Sequence, residues 1–354
     1  MENNKKKLPF DNWDHTFVIA EAGSNWRVGE YKKDIIQAKQ LIDIAKNADA
    51  DAIKFQTYKS KTVYVENAGK SDYLVKSGML ESINEIFENL SMPYEMVPII
   101  AKYCEEKDIL FMSTPFSVED AKVIDPFVKI HKIASFEINH IPLLEFLAKT
   151  QKPVLISTGA SNETEIKFAI DVIKKNGNSK IGLMQCTSKY PAPLNSLNLS
   201  VIPNMKKTFS VPVGFSDHSL DPIIAPLSAI GFGATMIEKH FTIDKKLPGP
   251  DHTFALEPNE LEQMIKSIRS ADKTKGTGKK VILDDERELR EFATRSIQAI
   301  KNIKKGEILR FEENFSILRS GKRKRGLGAR YLYEVNGKTA ITNIEKGEGI
   351  IEYE

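Results

Sequence analysis

The stretch FVKIHKIASFEINHIPLLEFLAKTQKPVLISTGASNETEIKFAIDVIKKNGNSKIGLMQ, from Phe127 to Gln185, decides the fold. It contains three short apolar runs rich in β-branched residues, and a segment with the spacing of an amphipathic helix separates each run from the next. This alternation predicts parallel strands, because each helix returns the chain to the end of the sheet at which the preceding strand began.

The same alternation extends outward from residue 16 to about residue 270. We predict eight strands, at Phe17–Ala22, Ala52–Gln56, Leu110–Ser113, Phe127–Ile133, Val154–Ser157, Ile181–Gln185, Val211–Phe215 and Ala234–Glu238. We predict helices at Lys33–Lys46, Tyr94–Lys107, Ile141–Lys149, Glu163–Lys175 and Ala225–Ile230. This α/β pattern is typical of a (β/α)₈ TIM barrel. A doubly wound open sheet is the alternative, although no convincing GxGxxG motif follows a strand.

The chain of 354 residues divides into four parts. We expect a flexible lead-in at 1–14, a catalytic barrel at 15–272, a linker at 273–292 and a small β-rich domain at 293–354, where the phrases KKGE and EKGE mark turns between short strands. One connection, residues 57–93, is long enough to indicate a functional lid or extra structure.

Composition excludes several classes of protein. The net charge is only +3, from 51 basic and 48 acidic residues, so we expect no nucleic-acid partner and interpret the basic run Lys322–Arg325 as a solvated loop. No stretch is apolar for long enough to cross a membrane, and the basic N-terminus lacks the apolar core of a secretory signal. Cys104 and Cys186 lie in apolar surroundings, which favours reduced thiols and a cytoplasmic protein.

Polar residues stand at the C-terminal end of every predicted strand. They are Glu21; Lys54 and Gln56; Ser113 and Thr114; Lys132 and Ser135; Ser157 and Thr158; Gln185, Ser188 and Tyr190; Ser216, Asp217 and His218; and Glu238, Lys239 and His240. In a barrel these ends meet at one rim, where active sites form, so we expect the clusters to converge. Ion pairs that only stabilise the barrel are the structural alternative.

Two kinds of side chain in this set indicate chemistry. Lys54 and Lys132 would direct two ammonium groups inward, which suits a phosphate or carboxylate, although either lysine could instead pair with Glu21 or Glu137. His218 and His240 end the last two strands and could share a weakly held divalent ion such as Mn²⁺ or Mg²⁺.

Nine short motifs, in the same order along the chain, resemble those of the sialic acid synthase family. They are FVIAEAGSN (17–25), IKFQ (53–56), STPF (113–116), KIAS (132–135), STG (157–159), CTSKYPAP (186–193), GFSDHS (214–219), EKHFT (238–242) and GPDH (249–252). The segment from Ala293 resembles the antifreeze-like SAF domain of the same enzymes.

The resemblance implies a transferase that condenses phosphoenolpyruvate with N-acetylmannosamine or a related amino hexose, giving a nine-carbon 2-keto (nonulosonic) acid and phosphate. The residues it implies for phosphoenolpyruvate are Lys54, Thr114, Lys132, Ser135, Ser157, Ser188 and Ser216. Those it implies for the sugar are Gln56, Glu137, Tyr190, Asp251, Phe292 and Arg319. It also implies His218 and His240 as metal ligands and catalytic residues, and Glu21 as the group that transfers a proton.

The chain departs from the family pattern at two positions. Ser188 stands where the family often has asparagine, and Arg319-Ser320-Gly321 replaces an RPG turn whose arginine reaches the sugar in the partner's barrel of a domain-swapped homodimer. The alternatives that stay open are another phosphoenolpyruvate-dependent aldol-type synthase and a noncatalytic carbohydrate-binding protein. The sugar is open among N-acetylmannosamine, its 6-phosphate and a 2,4-diacetamido-trideoxy hexose.

Overall fold

A computed structural model describes residues 15–76 and 79–354, so the predicted lead-in at 1–14 lies outside the described residues. The chain forms two compact units, the first ending at Lys275 and the second spanning Gly276–Glu354. The segment predicted as a linker holds the end of one helix and most of another.

The first unit is a (β/α)₈ barrel, as predicted. Its strands are β1 (Phe17–Gly23), β2 (Ala52–Thr57), β3 (Leu110–Pro115), β4 (His131–Ile133), β5 (Val154–Ser157), β6 (Ile181–Cys186), β7 (Val213–Asp217) and β8 (Met236–His240). They pair in the order β3-β2-β1-β8-β7-β6-β5-β4, and each paired neighbour is parallel. The strands β3 and β4 stand at the two ends of this order and do not pair with each other. Met112 of β3 and Ile130, directly before β4, nevertheless belong to one buried cluster, so the barrel interior is continuous between these two strands.

Helices surround these strands and lie in the connections between them. They are α1 (Tyr31–Asn47), α2 (Ser60–Val63), α3 (Asp72–Lys76), α4 (Ile83–Leu90), α5 (Met96–Glu106), α6 (Val118–Ile124), α7 (Ile141–Lys149), α8 (Glu163–Lys175), α9 (Val201–Phe209), α10 (Ile224–Gly231) and α11 (Pro258–Thr274). Short 3₁₀ helices cover Ser135–Glu137 and Leu194–Ser196. Their apolar faces bury residues such as Leu41, Ile100 and Ile170 against the outside of the strands.

Side chains alternate across each strand, and this alternation positions the site. One set points into the barrel and forms an apolar floor: Phe17, Ile19, Ala52, Leu110, Met112, Ile130, Leu155, Met184 and Met236. Two residues further along most of these strands, on the same face, stand polar groups such as Glu21, Lys54 and Lys132. A buried polar layer therefore lies directly above a dry floor.

The fourth strand is much shorter than predicted. We expected it to begin at Phe127, but it begins at His131. Residues 125–127 form a turn that ends α6, and Phe127 is 39% exposed. Pro126 lies within this turn, where its fixed φ suits a bend, and the strand pairs only from His131.

The long connection 57–93 carries structure of its own, as its length indicated. It contains α2, α3 and α4, and Ser82 begins α4 with a capping box closed by Glu85. Leu74, Ile83 and Ile86 form a small buried cluster separate from the main core.

The second unit is small and β-rich. A 3₁₀ turn at Asp284–Glu286 leads into α12 (Arg287–Ala293), and the antiparallel strands β9 (Arg295–Ala299) and β10 (Phe315–Arg319) are followed by Ala329–Tyr331 (3₁₀) and α13 (Leu332–Val335). It has its own core of Ile297, Ala299, Ile303, Leu309, Phe315, Val335, Ala340 and Ile350. That this unit is of the SAF type stays a prediction.

The basic run in the second unit is partly neutralised. Arg323 pairs with Glu348 at 3.1 Å, and Arg325 pairs with Glu291 at 3.0 Å. These pairs support a solvated, locally compensated loop. Within the described residues, no helix combines the length and apolar character that a membrane crossing requires.

Candidate active site

Two buried lysines and two buried carboxylates meet in the polar layer of the barrel. The Lys54 Nζ lies 2.7 Å from Oε2 of Glu21 and donates to the Thr114 hydroxyl at 3.0 Å. The Lys132 Nζ donates to the Ser157 hydroxyl at 2.6 Å. The structural alternative for Lys54, a pair with Glu21, is therefore present in the protein.

Glu238 joins the two lysines. Its Oε1 lies 3.7 Å from the Lys54 Nζ and 3.9 Å from the Lys132 Nζ, and it accepts a hydrogen bond from Ser216 at 3.1 Å. Burial alone would raise the pKa of Glu238, but Lys132 and Lys54 outweigh burial and hold that pKa below its usual value. The sequence analysis placed Glu238 at the end of a strand but assigned it no role. The signal that could have found it is its position two residues before His240, which places both side chains on the same face of β8.

Glu21 is poised to exchange a proton near neutral pH. Burial raises the pKa of Glu21 to about 7, against the opposing effect of Lys54. Gln56 donates to Oε1 of Glu21 at 3.0 Å, which fixes the carboxyl group. A carboxyl group with this pKa suits general acid–base chemistry.

The two lysines differ in how their charges are balanced. Burial would lower the pKa of Lys54, but Glu21 and Glu238 raise it. Burial lowers the pKa of Lys132. The negative charge of Glu238 opposes this lowering, and the positive charge of Lys54 adds to it. The positive charge of Lys132 is therefore less fully balanced by carboxylates than that of Lys54. An anion should bind most favourably beside Lys132.

Hydroxyl groups extend this anion-favouring region around Gly159. The Gly159 N–H donates to the Ser135 hydroxyl at 3.0 Å. A Cβ at Gly159 would come within 2.3 Å of the Ser188 hydroxyl, so only glycine admits both serines. The Ser188 Oγ is buried, and no hydrogen-bond partner is present among the described residues. The shorter side chain thus still reaches the site.

The two histidines lie beside each other, with ring centroids 5.5 Å apart. Burial lowers the pKa of His218 to about 4 and that of His240 to about 3, so both imidazoles are neutral at physiological pH. The His218 Nδ1 donates to the Thr187 carbonyl at 2.9 Å, and the Tyr190 ring lies 4.2 Å from His218. Neutral rings held in this way can donate lone pairs.

These donors fit a weakly held divalent ion. The His240 Nδ1 is buried and has no hydrogen-bond partner within the described part of the chain. The same described residues contain no group of three His, Cys, Asp or Glu side chains arranged to hold a metal. The chemistry of the set therefore fits two imidazole ligands, with the remaining positions open to water or substrate.

Asp251 lies next to the histidines. Its Oδ2 lies 3.7 Å from the His240 Nδ1 and accepts from the Ser24 hydroxyl at 3.3 Å. Gly23 has a φ of +53°, and a Cβ there would come within 2.7 Å of the same oxygen. The turn after β1 therefore depends on glycine for Asp251 to reach the site.

Glu137 is buried just beyond β4. Burial raises its pKa to about 7, which Lys132 only partly opposes. Its Oε2 has no hydrogen-bond partner among the described residues. Its role toward the sugar stays a prediction.

Part of the expected convergence is wrong, because alternate residues at the strand ends turn away from the mouth. Lys239 pairs with Asp217 at 2.6 Å and bonds the Ser219 carbonyl. Ser113 bonds Thr57, Thr158 bonds the Met184 carbonyl, and Gln185 bonds the Leu197 carbonyl. The structural alternative holds for these residues, because period-two alternation allows only every second side chain to face inward.

Phe292 and Arg319 belong to the second unit. Phe292 is 51% exposed at the end of α12, and Arg319 is exposed at the end of β10. The Gly321 N–H donates to the Phe292 carbonyl at 3.1 Å, which links the two segments. Their contact with a sugar stays a prediction.

Comparison with known proteins gives a consistent result. The NeuB family model matches residues 41–280. The chain is similar to the spore coat polysaccharide biosynthesis protein SpsE of Bacillus subtilis, with 38% identity over 95% of this chain and 92% of that protein. It is equally similar to N,N'-diacetyllegionaminic acid synthase of Campylobacter jejuni, with 38% identity over 95% of this chain and 99% of that one. The crystal structure of N-acetylneuraminic acid synthetase from Leptospira borgpetersenii aligns with a TM-score of 0.69 at 34% identity, covering 78% and 91% of the two chains.

Proposed function

The chain belongs to the NeuB family, and from that membership we propose that it is a transferase condensing phosphoenolpyruvate with an N-acetylated amino hexose. The products would be a nonulosonic acid and phosphate. The observation that carries the proposal is the pair of buried lysines, Lys54 and Lys132, either side of Glu238 and below two neutral imidazoles.

Phosphoenolpyruvate would bind in the polar layer, next to the ammonium groups of Lys54 and Lys132. Its phosphate and carboxylate would approach Lys132, the less compensated cation, and accept hydrogen bonds from Ser157 and Ser216. Ser135 and Ser188, gathered at Gly159, would complete this set with Thr114 on the Lys54 side. These groups balance charge already present in the substrate, so they support binding more than rate.

The aldehyde end of the sugar would lie at His218 and His240, beside Gln56, Tyr190 and Asp251. The two imidazoles would hold Mn²⁺ or Mg²⁺, which would polarise the aldehyde oxygen. Gln56 and Asp251 would orient the sugar hydroxyls.

Bond formation would join C3 of phosphoenolpyruvate to the aldehyde carbon. Glu21, with a pKa of about 7, would donate the proton that the new hydroxyl group requires. Water then adds at C2, and cleavage of the C2–O bond releases phosphate and leaves the keto group.

We also propose the domain-swapped homodimer that the family resemblance implies. Arg319 and Phe292 are exposed on the second unit, so they are available to a partner's barrel. Replacing Arg319 by alanine should then raise the KM for the sugar without changing the KM for phosphoenolpyruvate.

The test measures phosphate release from phosphoenolpyruvate by the full chain, with and without an amino hexose, and identifies the product by mass. We expect release that depends on the amino hexose and on a divalent ion, and that chelation abolishes. Release that requires arabinose 5-phosphate or erythrose 4-phosphate would favour another aldol-type synthase. Binding of sugar with no release under any condition would favour the noncatalytic alternative.

A further inference from the structure

Four aromatic rings form a closed cycle at the two histidines. Two of them, Tyr190 and His240, line a cavity of about 550 Å³ that α4 also borders. The Tyr190 ring lies 4.2 Å from the His218 ring and 5.3 Å from the Phe254 ring, between centroids. The Phe254 ring lies 5.1 Å from the His240 ring, and the two imidazoles are 5.5 Å apart. Three of these side chains already have a proposed role, and Phe254 is the fourth.

The backbone that follows Phe254 is fastened to the end of β8. The Leu256 N–H donates to the His240 carbonyl at 2.9 Å, and the Thr242 N–H donates to the Leu256 carbonyl at 2.8 Å. Leu256 also forms a parallel bridge with Phe241. The segment that carries Phe254 and the strand that carries His240 are therefore hydrogen-bonded to each other, which fixes the position of one ring relative to the other.

Phe254 is buried, with 3% of its surface exposed, but it is not part of an apolar core. Within the described part of the chain, the cluster outside the strands includes Leu256 and Phe241 but not Phe254, and the barrel floor does not include Phe254 either. The rings that it contacts are the phenol of Tyr190 and the imidazole of His240. A large apolar side chain that packs on polar rings rather than within a core can position those rings.

The angles between the rings are those that aromatic pairs favour. Phe254 meets His240 at an interplanar angle of 63° and Tyr190 at 50°, and such tilted or edge-on arrangements are preferred over parallel stacking. His218 is held by its hydrogen bond to the Thr187 carbonyl and by the Tyr190 ring. His240 is bordered by Phe254 and by His218. Both imidazoles are therefore restricted in orientation by their neighbours.

A metal site with two imidazole ligands depends strongly on how well those ligands are ordered in advance. Fixing a side chain in one rotamer upon binding costs conformational entropy, and two ligands provide few contacts to offset this cost. Groups that orient the ligands therefore change the affinity for the ion although they do not touch it. In this protein the ring of Phe254 is in place to do so for His240.

We infer that Phe254 is a positioning residue for the metal ligands, acting directly on His240 and, through the Tyr190 ring, on His218. The inference rests on the proposed function, which assigns the two histidines to a divalent ion. Phe254 lies outside the nine motifs that carry the family resemblance, and its role depends on the packing of the four rings.

The test replaces Phe254 by leucine in the full chain, which keeps an apolar side chain but removes the ring. Phe215→Leu is the matched control, because Phe215 is also fully buried but belongs to the core outside the strands. Electron paramagnetic resonance of the free ion measures Mn²⁺ binding, and unfolding in urea measures stability. We expect the Kd for Mn²⁺ to rise about tenfold in Phe254→Leu and to change less than about twofold in Phe215→Leu, although both variants lose stability. An unchanged Kd in Phe254→Leu, or an equal rise in both variants, would overturn the inference; Phe254→Met replaces Phe254→Leu if the latter does not fold.

Failure of the proposed function is distinguishable from failure of this inference. If His240→Ala does not weaken Mn²⁺ binding, His240 is not a metal ligand, and that part of the proposed function is wrong. The orientation of the imidazole is then measured directly by ¹³C relaxation in the full chain labelled at its six histidines, with the His240 signal assigned by its loss in His240→Ala. We expect the order parameter of the His240 Cε1–H bond to fall in Phe254→Leu and to stay unchanged in Phe215→Leu. An unchanged order parameter in Phe254→Leu would show that Phe254 does not hold the ring.

Discussion

Gly23 and Asp251 lie so close together that even the methyl group of an alanine would not fit between them: a Cβ on Gly23 would come within 2.7 Å of the Asp251 Oδ2. Gly23 also lies where the pairing of β1 with β2 shifts register. The conformation of one turn thus determines where the Asp251 carboxylate, which we propose faces the sugar, stands.

Replacing Gly23 by alanine should therefore impair the sugar and spare phosphoenolpyruvate. We expect the KM for the amino hexose to rise about tenfold, because Asp251 must move away from His240, with an unchanged KM for phosphoenolpyruvate. Gly29→Ala is the matched control, since Gly29 also has a positive φ but nothing within 4 Å of an added Cβ. Equal effects of both variants on the sugar would refute the steric explanation.

Loss of Lys132 should act on the other substrate. Lys132→Met removes the less compensated buried cation, so we expect the KM for phosphoenolpyruvate to rise at least about tenfold while the KM for the sugar changes little. Lys129→Met, which removes an exposed lysine from the same segment, controls for net charge. Steady-state kinetics with each substrate varied in turn measures both constants. A KM for phosphoenolpyruvate like that of the unmodified enzyme would exclude Lys132 from the anion site.

The rate should depend on the protonation of Glu21. If the protonated carboxyl is the donor, kcat falls as pH rises through about 7, the pKa to which burial raises Glu21. Glu21→Gln should lower kcat by about a hundredfold or more and abolish this limb of the pH profile. Retention of the limb in the variant would assign it to another group.

Stability should fall in mild acid because of His131. This histidine is fully buried at the start of β4, and burial lowers its pKa to about 4 against the opposing effect of Asp125. Between about pH 6.5 and pH 4 the unfolded chain binds a proton at His131 that the folded chain does not, so stability decreases as pH falls through this window.

The His131 effect can be isolated by unfolding in urea at pH 7.5 and pH 5. The expected contribution is roughly 2 kcal/mol at pH 5. His131→Gln should reduce the loss between the two pH values by about this amount. An identical pH dependence in the two proteins would show that His131 does not titrate as described.

Much of the fold was predictable because apolar runs and helical spacing are local signals. The strand Val154–Ser157 and the helices Ile141–Lys149 and Glu163–Lys175 have the predicted bounds. Strand β4 was predicted to end at Ile133, as it does, but its start was not, because the chain leaves α6 through a turn at 125–127 before it pairs.

The candidate site was predictable in its neighbourhood but not in its detail. Parallel strands buried on both faces show no polar alternation, so the one local signal that Glu238 faces inward, while Lys239 pairs with Asp217, is that Glu238 lies two residues before His240 on the same strand face. The cavity-lining face of α4 was missed as well, because its residues follow a spacing that normally indicates packing against a core: Ile83, Ile86, Phe87 and Leu90.

The small cluster of Leu74, Ile83 and Ile86 is separate from the barrel core, and this separation has an evolutionary consequence. Mutations that reshape α4 need not disturb the floor of the barrel or the lysines above it. Substitutions within this cluster can therefore accumulate independently of the strands that carry Lys54 and Lys132.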